Sequence, residues 1–238
     1  MKNAEHWVIF DYGGTLASPS PRITCDNLGA YFSEVLPEAF GVPFRDALRR
    51  NWNEAETRGK ALALDVSLCS ILHDVFLELD LPFVGTQNIV DSFLRQLGDG
   101  IVSPSAVTAV QQVKDMGFKI GLASNTLRSS KVRRESLRQA GIEDAFSAVI
   151  VSSEVGFRKP HPVFFEILLR RIGVSPEQVT FVGDTWHKDV LAPIEAGMRA
   201  IWLTGTPPPT SAGTPHATPF VTDIAQLPSV LGDLHLPC

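Results

Sequence analysis

Asp11 closes the apolar run Trp7-Val8-Ile9-Phe10 and leads into Tyr12-Gly13-Gly14-Thr15. Ser124-Asn125 follows the run from Lys119 to Ala123, Lys159 comes soon after Ala148 to Ser152, and Asp184 ends Phe181-Val182-Gly183-Asp184. A short apolar run opening into a glycine turn is the pattern of a buried strand feeding a loop. Two acids, a hydroxyl, an amide and one ammonium thus stand at four strand ends. An Asp after a strand often serves only as the N-cap of the next helix, but four such ends carrying polar groups in order point to one shared site.

The elements that must position these residues follow from the periodicity. Strands are expected at Trp7 to Phe10, Lys119 to Ala123, Ala148 to Ser152, Val179 to Val182 and Ala200 to Leu203, and a last one at Phe220-Val221-Thr222. Amphipathic helices are expected between them, from Ser105, Ser129, Pro162 and His187, and a final helix from Asp223 to Leu231. Such alternation predicts an α/β fold, a parallel sheet covered by helices on both faces, with its ligand crevice beyond the carboxyl ends of the strands. Between about Ile23 and Leu97 the pattern is helical only: Leu28, Tyr31, Phe32 and Val35, then Leu68, Ile71, Leu72 and Val75, follow i, i+3, i+4, i+7 spacing. Breaks at Gly41-Val42-Pro43, Arg58-Gly59-Lys60 and Leu81-Pro82 divide this block into about four helices. The expected division is a core of residues 1–17 and 100–238 with an α-helical insertion at 18–99.

With 238 residues, 44% of them hydrophobic and a net charge of −5, the chain is an ordinary globular one without a general basic field. Nucleic acid and anionic membranes are therefore not expected partners, and a bound anion must be held locally. Cys25, Cys69 and Cys238 are isolated from one another, which suggests a reducing compartment. The start reads as a strand rather than a signal peptide, and no apolar stretch is long enough to span a bilayer. The expectation is a cytoplasmic protein, monomeric or homodimeric.

The motifs resemble those of the haloacid dehalogenase (HAD) superfamily: Val8 to Leu16 for the first, Ile120 to Asn125 for the second, Lys159-Pro160-His161-Pro162 for the third, and Gly183-Asp184-Thr185-Trp186-His187-Lys188-Asp189 for the fourth. The resemblance implies a Rossmann-like core with a helical cap inserted after the first motif. It also implies a Mg²⁺-dependent hydrolase of a small phosphorylated metabolite, with Asp11 as the nucleophile that becomes an aspartyl-phosphate. Lys159 would balance the negative charge, while Ser124, Asn125 and Gly14 would bind the phosphoryl group. Asp11, the Gly13 carbonyl, Asp184 and Asp189 would hold Mg²⁺.

Gly13 is the one departure. Phosphatases of the family carry there a second Asp that protonates the leaving group and activates water, a function worth about 10²- to 10⁴-fold. Three readings follow: a phosphonatase- or dehalogenase-like enzyme that breaks another bond, a phosphohydrolase whose proton donor comes from elsewhere, or a phospholigand-binding protein with vestigial catalysis. A phosphonatase would need a cap lysine; Lys60, the only one, reads first as an exposed helix-end residue. His187, His161 and His73 read as helix-start or surface residues or, alternatively, as donors for the second. The stretch Arg49, Arg50, Trp52, Glu54, Glu56 and Arg58 reads as a solvated helix face or, alternatively, a substrate-selecting rim. Pro207-Pro208-Pro209 reads as a connector at the sheet edge.

Overall fold

The computed structural model describes residues 5–35, 41–62, 64–65, 67–82, 86–206 and 218–235. Pro207 to Pro209, Cys238 and the Lys60 side chain lie outside the described residues. Six parallel strands form one sheet in the order β3-β2-β1-β4-β5-β6. They are β1 (Trp7–Phe10), β2 (Lys119–Ser124), β3 (Phe146–Val151), β4 (Val179–Gly183), β5 (Arg199–Leu203) and β6 (Phe220–Val221). The predicted strands are thus all present, with ends shifted by one or two residues. β1 is central, and its four residues are fully buried because both sheet faces are covered: Val8 and Phe10 enter one apolar cluster, Trp7 and Ile9 the other. Phe10 lies level with Leu122 and Val182, so the chain leaves β1 between the ends of β2 and β4, where strand order reverses.

Four helices fill the stretch between β1 and β2: α1 (Cys25–Val35), α2 (Val42–Leu62), α3 (Leu68–Glu78) and α4 (Thr86–Leu97). They share their own core of Leu28, Phe32, Phe44, Leu48, Trp52, Leu72, Val75 and Phe93, joined by Val132. The break expected at Arg58-Gly59-Lys60 is absent, because α2 runs through it to Leu62. One interior glycine costs a helix only about 1 kcal/mol, and its neighbours Glu54, Ala55, Glu56, Ala61 and Leu62 are strong helix formers. No helix among the described residues is long and apolar enough to cross a membrane.

After the insertion come α5 (Pro104–Asp115), α6 (Ser130–Gln139), the short α7 (Ser152–Val155) and α8 (Pro162–Ile172). Ser103 and Ser129 cap the first two through Ala106 and Val132. The helix expected from His187 opens instead as a π-helical turn, Trp186–Leu191, continuing into α9 (Ala192–Glu195). At the far end a 3₁₀ turn, Ile224–Gln226, precedes α10 (Leu227–His235).

The two chain passages between sheet and insertion are fastened together. Ala17 bridges Val102, the Ser18 amide donates to the Ile101 carbonyl at 3.0 Å, and the Tyr12 hydroxyl donates to the Gly100 carbonyl at 3.0 Å. Beside them Asp99 accepts from Arg133 at 2.5 Å, Ser136 at 2.6 Å and Ser20 at 2.6 Å, with Arg128 at 3.5 Å. Burial opposes ionisation of Asp99, but Arg133, the two hydroxyls and Arg128 outweigh it and hold its carboxyl below the ordinary value. A depressed folded-state value gives stability that is complete above about pH 3.8 and is lost as pH falls through the lower folded value. Asp99→Asn should therefore cost about 3–5 kcal/mol at neutral pH by leaving two guanidiniums buried without their carboxylate. In denaturant titrations the difference from wild type should shrink below about pH 4.

Candidate active site

The strand ends bring the predicted polar residues to one place. The Asp11 amide donates to the Val182 carbonyl at 2.9 Å, which fixes the residue where β1 gives way to its turn. Lys159, only 2% exposed, donates to Asp11 at 2.8 Å and to Asp189 at 2.6 Å. The Asn125 side chain clips the Lys159 backbone from both sides, accepting from its amide and donating to its carbonyl at 2.8 Å each. A residue expected to act through its backbone on the phosphoryl group thus positions the lysine with its side chain. Ser124 is buried at the end of β2 and lines the same cavity as Asn125, Gly13, Gly14 and Asp184.

Asp11, Asp184 and Asp189 offer carboxylate oxygens all within 4.8 Å of one another. Asp189 is placed by the π-helical turn: its amide donates to the Thr185 carbonyl at 2.8 Å, and its carboxylate accepts from the Thr185 amide at 3.1 Å. The Asp184 carbonyl accepts from the Trp202 indole at 2.9 Å, and the Thr185 hydroxyl donates to its carboxylate at 3.2 Å.

Two glycines admit this crowding. A Cβ on Gly183 would lie 2.3 Å from the Asp189 Cβ, and one on Gly14 would lie 2.3 Å from Asp184 Oδ2, where φ is also +84°. Gly13 differs from both: nothing lies within 4 Å of its Cβ position and its φ is not in the left-handed range.

Three carboxylates against one ammonium leave the cluster short of positive charge. Burial pushes the Asp11 carboxyl up and Asp189 adds to this, while Lys159 pulls it down without cancelling the rise. Burial and Asp189 likewise raise Asp184. Burial disfavours the Lys159 ammonium, but Asp11 and Asp189 more than restore it, holding its pKa above the ordinary lysine value. Hard oxygen ligands, excess negative charge and glycine-lined closeness fit a small divalent cation such as Mg²⁺.

A cavity of about 460 Å³ reaches the cluster at Asp184 and is also lined by Tyr12, Gly13, Gly14, Ser124 and Asn125. Arg22, Arg128, Arg133 and Arg158 line it, none of them singled out from the sequence. The available signal was the basic run from Leu127 to Arg138 directly after Asn125, and Arg158 beside Lys159. The candidate proton donors fare differently. The His161 ring accepts from the Val163 amide at 3.2 Å as the cap of α8 and packs on Phe157 at 4.6 Å. His187 is exposed on the π-helical turn, and His73 faces Asp74 at 3.5 Å on an exposed part of α3. In the charged stretch Trp52 is core, Arg50 pairs with Glu78 and Arg49 pairs with Asp26 at 3.3 Å, within the helical insertion.

Residues 6–197 match the haloacid dehalogenase-like hydrolases, and the chain belongs to that family. It is similar to the phosphoserine phosphatase of Thermus thermophilus, 33% identical over 117 residues, 49% of this chain and 46% of that one. It is also similar to the glyceraldehyde 3-phosphate phosphatase of Methanopyrus kandleri, 37% identical over 98 residues, 41% of each chain. The chain spans about half the length of the curated relatives it matches. Its fold is that of a 2-haloacid dehalogenase from Pseudomonas syringae, with a TM-score of 0.64 at 21% identity over 97% of this chain and 100% of that one. A HAD phosphatase from Thermococcus onnurineus gives 0.53 at 23% identity over 95% and 98%.

Two outcomes follow from the crowding and the charge. Gly13→Ala should fold with a thermal midpoint close to wild type, whereas Gly14→Ala should be clearly destabilised or lose metal binding. Added Mg²⁺ at ten times its dissociation constant should stabilise wild type by about 1.4 kcal/mol. In a differential scanning experiment on a chain this long that is about 3–5 °C, and Asp184→Asn should abolish most of it.

Proposed function

We propose that the chain is a Mg²⁺-dependent phosphohydrolase of a small phosphorylated metabolite, working through an Asp11 phosphoenzyme. Residues 18–99 serve as a cap over a core of residues 1–17 and 100–238, in a cytoplasmic monomer or homodimer. The observation that carries the reading is the pairing of Asp11 with the buried Lys159 ammonium at 2.8 Å, inside a cluster of three carboxylates that no second ammonium balances among the described residues. The phosphatases among its relatives support the phosphoryl chemistry, and the acidic cluster favours it over metal-independent carbon–halogen cleavage.

In this reading Asp11, Asp184, Asp189 and the Gly13 carbonyl hold Mg²⁺, which supplies positive charge to the phosphoryl oxygens and lowers the repulsion between them and the nucleophile. Lys159 favours the ionised form of Asp11 against the effect of burial and faces the same oxygens. The Ser124 hydroxyl and the backbone amide at Asn125 donate hydrogen bonds to the phosphoryl group, whereas the Gly14 amide, expected to join them, already donates to the Ala17 carbonyl at 2.8 Å. Asp11 attacks phosphorus, the leaving group departs with its electron pair, and water then cleaves the aspartyl-phosphate. Gly13 contributes no proton to either step, so both proceed without the assistance that an acid/base residue gives.

The test is turnover of p-nitrophenyl phosphate with Mg²⁺, whose leaving group needs little protonation. Asp11→Asn should lower kcat by more than about 10³-fold. Unchanged turnover in that variant would show that the site binds phosphate without processing it. In wild type, intact-mass measurement should detect phosphorylated Asp11. Gly13→Asp should raise kcat about tenfold or more, with Gly13→Ala as the control for backbone effects. A folded, Mg²⁺-binding Gly13→Asp protein with unchanged turnover would assign the native proton transfer to another group.

A further inference from the structure

The cavity that reaches Asp184 and the Tyr12-Gly13-Gly14 turn after Asp11 also has a basic side. Arg22, in the link between β1 and α1, and Arg158, one residue before Lys159, both line it from exposed positions. Neither guanidinium has a hydrogen bond or ion pair among the described residues. Behind them Arg128 and Arg133, each 2% exposed, share the single carboxylate of Asp99. That leaves one buried positive charge in excess, and the Nε atoms of both arginines are buried without a hydrogen-bond partner. Positive charge kept from water is expensive unless an anion compensates it. The lining carries just one carboxylate of its own, Asp184.

The same lining offers nothing to protonate a leaving group. Gly13 has no side chain, the Tyr12 hydroxyl is committed to the Gly100 carbonyl at 3.0 Å, and Asp184 belongs to the acidic cluster on the other side. Tyr12 is also covered by the Arg133 guanidinium, 3.6 Å from its ring centre. An alkoxide cannot leave readily without a proton, whereas a carboxylate or phosphate can.

We infer that the substrate is an anhydride of phosphoric acid, an acyl phosphate or phosphoanhydride, whose departing anion is received by Arg22 and Arg158. This rests on attack by Asp11 at phosphorus. The Asp11 carboxylate forms the new oxygen–phosphorus bond, and the bridging oxygen–phosphorus bond breaks. Its electron pair stays on the departing carboxylate or phosphate, which leaves unprotonated beside the two guanidiniums. Water then attacks the aspartyl-phosphate, Asp11 departs as carboxylate, and the proton from water remains on the phosphate product or passes to solvent. Both half-reactions balance with no acid at position 13.

The test compares acetyl phosphate, pyrophosphate, p-nitrophenyl phosphate and glycerol phosphate as substrates of the Mg²⁺-loaded full chain. Either anhydride should exceed glycerol phosphate in kcat/KM by at least about 10²-fold, and whichever is preferred identifies the departing anion as carboxylate or phosphate. In the Arg22→Ala/Arg158→Ala double variant the ratio of kcat/KM for that anhydride to that for p-nitrophenyl phosphate should fall about tenfold. Both side chains are exposed, so the variant keeps its core, and circular dichroism checks this. If p-nitrophenyl phosphate is hydrolysed through Asp11 but glycerol phosphate is as good a substrate as the anhydrides, or the ratio does not move, the anhydride assignment is overturned while the phosphohydrolase reading stands. Absence of any Asp11-dependent turnover would overturn both.

Discussion

One buried ammonium holds the site together. Lys159 reaches two carboxylates from three different strand ends' worth of chain, Asp11 at 2.8 Å and Asp189 at 2.6 Å. A lysine this buried keeps its proton only because both carboxylates face it, and the carboxylates tolerate each other only because it lies between them. Removing Lys159 would leave two buried carboxylates without their cation, at a cost larger than most single contacts contribute. The Asn125 clip on the Lys159 backbone, the Thr185 turn under Asp189 and the amide of Asp11 on β4 therefore act together, as supports for one charge arrangement. The third carboxylate, Asp184, is what the lysine does not offset.

How much of this is legible in the sequence depends on whether the cause is local. Strand ends, N-caps and the polar residue after each strand leave local signatures, which is why Asp11, Ser124, Asn125, Lys159 and Asp184 could be named as one set. The role of Asn125 could not, because its partner is the backbone 34 residues away. The π-helical turn at Trp186–Leu191 has no distinct periodicity over so few residues, so it reads as the start of an ordinary helix. Gly59 reads as a break for a related reason: a glycine signals only a small local penalty, and the packing of the whole of α2 overrides it. The guanidinium side of the cavity was missed altogether. Its members come from positions 22, 128, 133 and 158, and although a basic run follows Asn125, its spacing does not tell which arginines share a wall.

The cavity is thus polarised, with the Asp184 carboxylate where β4 ends and guanidiniums where the insertion joins the sheet. Gly13 sits between the poles, with open space at its Cβ position and no left-handed φ. A glycine that is neither needed for its backbone angle nor forced by a neighbour is not explained by packing. At Gly14 and Gly183 the opposite holds, since any Cβ would collide with an acidic side chain. Of the adjacent glycines Gly13 and Gly14, only the second is demanded by sterics.

The guanidinium pole is also built into the junction between sheet and insertion. Arg128 donates to the Gly98 carbonyl at 2.6 Å, and Arg133 pairs with Asp99, both partners lying on the returning passage from α4. The outgoing passage is tied to the same segment through Ser18 and Ser20. Two buried cations that line the cavity are therefore held by the very residues that anchor the helical insertion. A shift of the insertion that pulled Asp99 away would change the charge facing the cavity as well as its shape. An anion bound there would in turn favour the junction in which both guanidiniums stay in place, because linkage between the two is reciprocal.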